Sequence, residues 1–159
     1  MWRLHGRGSN MVASIFIIVV SAVLLLYWFR YTSLLILRTR TAKDYATSLV
    51  LANKLEFREI QNRGFSEVPV HELAAVEDSL ARDYRLLTYL LQHTAGLDIG
   101  GFTLEQRLLM ADFMVMRMFA RLSRSMATSQ SRAALEEMSQ VLYHLANAMG
   151  ERIQSSSRA

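Results

Sequence analysis

The chain has 159 residues, room for one domain of ordinary size and an anchor but not for two large catalytic domains. It has no cysteine, which excludes disulfides, thiolate catalysis and cysteine-ligated zinc or iron–sulfur centres, and with seven Gly and one Pro it lacks the turn punctuation of a sandwich or barrel. The net charge of +4 is divided unequally: residues 1–43 hold six of the 18 Lys and Arg and none of the 14 Asp and Glu, so the chain from Asp44 onward stands at −2.

That balance is the wrong sign for a phosphate-binding domain, and nucleic acid is not an expected partner. With 52% apolar residues and a mean hydropathy of +0.15, much of the chain must be buried or in lipid. The expected class is all-α.

Residues 1–10 form a short tail carrying Arg3 and Arg7. From Met11 to Phe29 no charge occurs. As a helix this stretch covers roughly 28 Å, about the hydrocarbon thickness of a bilayer, so it predicts a single transmembrane span. A cleaved signal sequence is the competing reading. The apolar run is too long for that, and it ends on Tyr27, Trp28, Phe29 and Arg30 where cleavage needs small residues. Tyr27, Trp28 and Tyr31 have the composition of an interfacial aromatic belt, and Arg30 can snorkel to the headgroups. Residues 11–37 are therefore read as anchor and juxtamembrane segment. Four cations between Arg30 and Lys43 against two in the tail place the amino terminus outside and the rest in the cytoplasm.

Residues 38–154 are expected to form an antiparallel bundle of three to four helices, followed by a flexible tail over 155–159. No Pro or Gly separates Met11 from Gly64, which predicts that the anchor helix continues to that glycine. A second helix starts near Val70, carries Leu73, Val76, Leu80, Tyr84, Leu87 and Leu91 on one face, and stops at Gly96. The connector 96–102 contains Gly100 and Gly101. Thr103 then opens a third helix, with Gln106 completing a capping-box pattern. Residues 129–131 separate it from a fourth, whose stripe is Leu135, Met138, Leu142, Leu145, Met149 and Ile153.

The third helix has two apolar stripes where a peripheral helix needs one. Leu104, Leu108, Ala111, Val115, Phe119, Leu122 and Met126 form the first, expected to be core. Leu109, Phe113, Met116 and Ala120 form the second, roughly 140° away. Either this helix is central and buries both, or the second stripe docks a partner subunit or another copy. Arg117, Arg121 and Arg124 lie alongside: they fit a solvated face, a protein interface, where Arg beside Met is common, or a row facing anionic headgroups.

No spacing of catalytic or ligating residues emerges. His71-Glu72-Leu73 resembles the start of the phosphoacceptor box of sensor histidine kinases. It is followed by Ala74-Ala75-Val76 where that family has Arg, Thr and Pro, and no glycine-rich ATP site follows. Glu-x-x-His pairs for a di-metal bundle do not occur. His93 and His144 could ligate a haem between the second and fourth helices, but His144 lies on the polar face of its helix, and Met110, Met114 and Met118 lack the His or Cys that would make a copper site of them. No cofactor, metal or small-molecule substrate is expected, and no enzymatic activity. The expected role is an accessory, scaffold or assembly subunit, partnered by the bilayer and by another membrane protein or a homo-oligomer. The alternative is a signalling module relaying a change in the membrane helix to the bundle.

Overall fold

The structure, a computed structural model, describes residues 6–38, 44–94 and 102–156. Arg3, Arg40, Lys43, the expected stop at Gly96, Gly100, Gly101 and residues 157–159 lie outside the described residues. Everything described is helix or short connection, with no strand among the described residues. The chain divides into two units, residues 1–36 and 37–159.

The first unit is helix α1, Gly6–Arg38. Its residues Met11–Arg38 are long and apolar enough to cross a membrane. Leu, Ile and Val occupy all sides of it, so it has no polar face to turn to water, and its apolar side chains are exposed from Met11 to Trp28, while Phe29, Ile36 and Leu37 are half-buried. Thr32 hides its hydroxyl by donating to the carbonyl of Trp28 at 2.9 Å. Tyr27, Trp28 and Tyr31 form a ring cluster on this helix, with centroids 6.0 to 6.5 Å apart.

Among its described residues the second unit holds five α-helices: α2 (Ala46–Asn53), α3 (Phe57–Arg63), α4 (Leu73–Thr94), α5 (Leu104–Ser123) and α6 (Thr128–Ser156). The expected uninterrupted helix to Gly64 does not form. Asp44 and Tyr45 are non-helical, and α2 ends at Lys54, which takes the left-handed conformation (φ 52°, ψ 45°). The turn costs Lys54 some backbone strain, and in exchange Leu55 and Phe57 face the core, both buried. Gly64 (φ 83°) ends α3, as its sequence position predicts.

Both short helices receive caps from distant elements, and α2 a local one as well, its Thr47 N–H donating to Asp44 Oδ1 at 3.4 Å. Neither N-cap side chain bonds to its own helix. Instead Asn147 of α6 accepts from the backbone N–H groups of Tyr45 (2.9 Å) and Ala46 (3.0 Å). Asp83 of α4 accepts from those of Glu56 (2.8 Å) and Phe57 (2.7 Å). Asp83 and Asn147 are themselves buried, so the first-turn donors that helices leave open are satisfied inside the fold.

Burial pushes the Asp83 carboxyl above its ordinary 3.8, and the Phe57 and Glu56 N–H groups pull it part of the way back. A carboxyl with a raised folded-state pKa binds its proton more readily folded than unfolded. Between 3.8 and that raised value, its contribution to stability therefore falls as pH rises. Asp83→Ala leaves two donors without an acceptor and is expected to cost about 2 kcal/mol. Asp83→Asn keeps an acceptor, costs less, and flattens the pH slope above 3.8. Chemical denaturation at several pH values reads both effects, and equal losses in the two variants would show that the carboxyl does not act as a cap.

Two 3-10 turns, Phe65–Glu67 and Val70–Glu72, lead into α4. The predicted face of α4 is the buried one, with Leu73, Leu80, Tyr84, Leu87 and Leu91 all inside and Val76 half-buried. At the start of α5 the capping box is complete: Gln106 N–H donates to Thr103 Oγ1 (3.2 Å), and Thr103 N–H donates to Gln106 Oε1 (3.1 Å). The break before α6 falls at residues 124–127, closed by Ala127 N–H on the Ser123 carbonyl at 2.7 Å. Residues 129–131, expected as the separator, belong to α6, which continues to Ser156.

The central helix is α6, not α5. It packs against α2, α3, α4 and α5. Leu135, Met138, Leu142, Leu145 and Met149 are buried as their stripe predicts, but so are Ala134, Ser139, Val141, Ala146 and Asn147, which spread burial around most of the helix. Small residues allow the close approach. A Cβ on Gly150 would run into the side chain of Tyr45. Helices α5 and α6 lie side by side in opposite directions. Ser131 Oγ donates to the Ala120 carbonyl at one end (3.1 Å), and Arg152 donates to Gln106 Oε1 at the other (2.9 Å).

Candidate interaction surface

Helix α5 carries the candidate surface, and the structure reverses the expected roles of its two stripes. Leu109, Phe113, Met116 and Ala120, expected as a partner interface, are buried in the core. Phe113 is 0% exposed and stacks on Tyr84 with ring centroids 4.2 Å apart and planes within 6°. A residue so placed cannot meet a partner while the unit stays folded. The face that turns inward also carries Gln106, Asp112 and Ser123, all buried. Ser123 donates to the Phe119 carbonyl at 2.7 Å. This face therefore combines large apolar groups with polar ones, of which Gln106 and Ser123 have hydrogen-bond partners within the unit.

The stripe expected to be core is the outward one. Leu104 is 75% exposed, Leu122 65%, Met126 90% and Phe119 42%. Ala111, Met114 and Met118 are exposed as well, whereas Leu108 and Val115 are half-buried. The result is an apolar face running from residue 104 to residue 126, longer than the scattered single hydrophobes of an ordinary surface.

Beside this face, Arg117, Arg121 and Arg124 do not form the open cationic row that their spacing suggests. They converge on Glu77 of α4. Arg117 Nε and Arg121 Nε donate to Glu77 Oε1 at 2.9 and 2.7 Å, and an Nη of Arg124 donates to Oε2. Glu77 is 2% exposed, while the arginines are a third to a half exposed. Their guanidinium heads thus sit at the rim with the carboxylate beneath them. A buried carboxylate needs charge-assisted partners, and three donors from one helix supply them. Sequence reasoning passed over Glu77, although an acid between Leu73 and Leu80 on an apolar face is the signal for such a site.

No protein-family model, curated protein or solved structure matches the chain.

Elsewhere the candidate groups stay apart. Among the described residues no set of three His, Asp or Glu side chains comes together as a metal site. His71 lies exposed in the 3-10 turn before α4, 3.7 Å from Glu72. His93 is exposed, with Nδ1 2.8 Å from the Tyr89 carbonyl, and His144 is half-buried. Met114 and Met118 belong to the outer face of α5, and Met110 is half-buried. Tyr27, Trp28, Arg30 and Tyr31 lie in the carboxy-terminal half of α1, in the other unit.

Proposed function

We propose that this chain is a membrane-anchored accessory, scaffold or assembly subunit without enzymatic activity. In this reading α1 spans the bilayer with Tyr27, Trp28, Arg30 and Tyr31 at one boundary, the amino terminus lies outside, and a cytoplasmic helical bundle presents the outer face of α5 to a protein partner. One observation carries the reading: a helix whose inner face is fully packed still exposes an apolar face along its length. Soluble monomers rarely keep such a face open. The cation count around α1 supports the orientation, and the −2 balance beyond Lys43 argues against nucleic acid.

A photo-reactive phenylalanine analogue placed at Leu122 of the full-length chain in intact membranes tests this. A discrete protein adduct is expected from position 122 and none from the control position Ala75, which is exposed on α4. Absence of an adduct at 122, or equal labelling at both positions, would remove the support for a docking role.

A further inference from the structure

We infer that Arg117, Arg121 and Arg124 form a binding site for a phosphate monoester, the dianionic group carried by some lipid headgroups and by soluble phosphates. The inference goes beyond the docking reading and does not rest on it. Three positive charges stand against the single negative charge of Glu77, which leaves a surplus of two. Nothing else in the fold offsets it. Among the described residues the three arginines have no ion pair or hydrogen bond except those to Glu77. The residues three and four positions along the chain from each of them, and from Glu77, include no acid. Asp78 is exposed and pairs with none of the three, Asp112 is buried on the inner face of α5, and Glu105 lies more than three turns away on the other flank of that helix. The balance of −2 from Asp44 onward is a sum over the whole segment, and a local surplus of the opposite sign is compatible with it.

The surplus is gathered at one point. Arg117 Nε and Arg121 Nε meet on the same oxygen, Oε1, and Arg124 reaches the other, so the three heads lie side by side over one carboxylate. A guanidinium is planar with its five N–H groups spread around it, so an arginine that turns Nε to Glu77 directs its Nη fork elsewhere. All three side chains are partly exposed, and these outer donors can meet a solute. Charge concentrated in this way suits a compact oxyanion better than two separate carboxylates. A phosphate monoester brings close to two negative charges and three strong acceptor oxygens on one centre. Glu77 holds the arginines together before any ligand arrives, which lowers the entropy cost of ordering three long side chains on binding. The carboxy-terminal end of α5 adds no attraction for an anion, so the affinity must come from the guanidinium groups themselves.

The test uses the full-length chain in nanodiscs of phosphatidylcholine at about pH 8, above the second ionisation of phosphate, titrated with inorganic phosphate at an ionic strength held constant with chloride. Thermal unfolding followed by circular dichroism is expected to move upward with phosphate and not with chloride. Arg121→Ala, which leaves two donors on Glu77, is expected to need roughly tenfold more phosphate for the same shift. Arg107→Ala, at an exposed arginine of α5 outside the cluster, should respond as the parent does. Phenyl phosphate, a monoester, should act like inorganic phosphate, and dimethyl phosphate, a monoanionic diester, at least about tenfold more weakly. Replacing a minor part of the lipid by phosphatidic acid, whose headgroup is a monoester, separates the sources. Loss of the response to added phosphate would assign the site to a headgroup, and an unchanged response would assign it to a soluble ligand. No phosphate-dependent shift in the parent, or equal losses in Arg107→Ala and Arg121→Ala, would overturn the inference and leave the docking reading, which turns on the apolar face, untouched.

Discussion

Phe113→Ala is expected to destabilise the helical unit by about 3–5 kcal/mol, whereas Phe119→Ala, six residues along the same helix, should change it by less than about 1 kcal/mol. The two rings have the same size and differ only in placement. Phe113 is wholly buried and stacked on Tyr84, so truncation loses its transfer free energy, leaves a cavity and removes an aromatic pair worth roughly 0.5–1.5 kcal/mol. Phe119 is 42% exposed on the outer face, where water fills the space its ring leaves. Thermal or urea unfolding of the full-length chain in mild detergent, followed by circular dichroism, measures both. Comparable losses would mean that the outer face is packed too, which would take away the apolar surface on which the docking proposal depends.

Glu77→Gln is the second large effect, expected at about 2–3 kcal/mol. The replacement keeps the shape but removes the charge that holds Arg117, Arg121 and Arg124 together, so three cations from successive turns of α5 repel one another above a neutral amide. The arginines can swing into water because they are only partly covered, which keeps the cost below that of a fully buried orphaned charge. Arg121→Ala, at the most exposed of the three, should cost under about 1 kcal/mol, because two donors remain on the carboxylate. Added salt should restore part of the loss in Glu77→Gln by screening the repulsion, and should do little for the parent chain. If Glu77→Gln were neutral at low salt, the cluster would be a rim ornament and not a tie between α4 and α5.

The parts of this fold that are legible in the sequence are those fixed by neighbours along the chain. The charge-free run of α1, the stop at Gly64, the Thr103–Gln106 capping box and the face of α4 each depend on residues within a few positions of one another. What the sequence hides depends on distant partners. The break at Lys54 carries no glycine to mark it, and the helix after it is capped by Asp83 of α4, as the start of α2 is by Asn147 of α6. The centrality of α6 is masked because Ser139 and Asn147 look like solvent-facing residues until their partners are known. The two stripes of α5 are nearly equal in apolar content. The choice between them is made by Tyr84, which gives Phe113 a ring to stack on, and by Glu77, which draws the arginines to one side. Periodicity alone therefore cannot say which stripe of α5 turns inward, and the one expected to face a partner is the buried one.

The long-range caps also bear on the order in which the chain can mature during synthesis. An eight-residue and a seven-residue helix are too short to persist alone in water. The acceptor for the first N–H groups of α2 sits 101 to 102 residues further along the chain. A ribosome that has delivered α2 has not yet delivered Asn147, so the start of α2 is made before the acceptor of its first N–H groups. Its Tyr45 and Ala46 donors find their acceptor only once α6 is in place, whereas α3 meets its own, Asp83, as soon as α4 is made. The start of the unit is thus tied to a helix about a hundred residues further along, so α2 and α6 are expected to gain their protection from hydrogen exchange together.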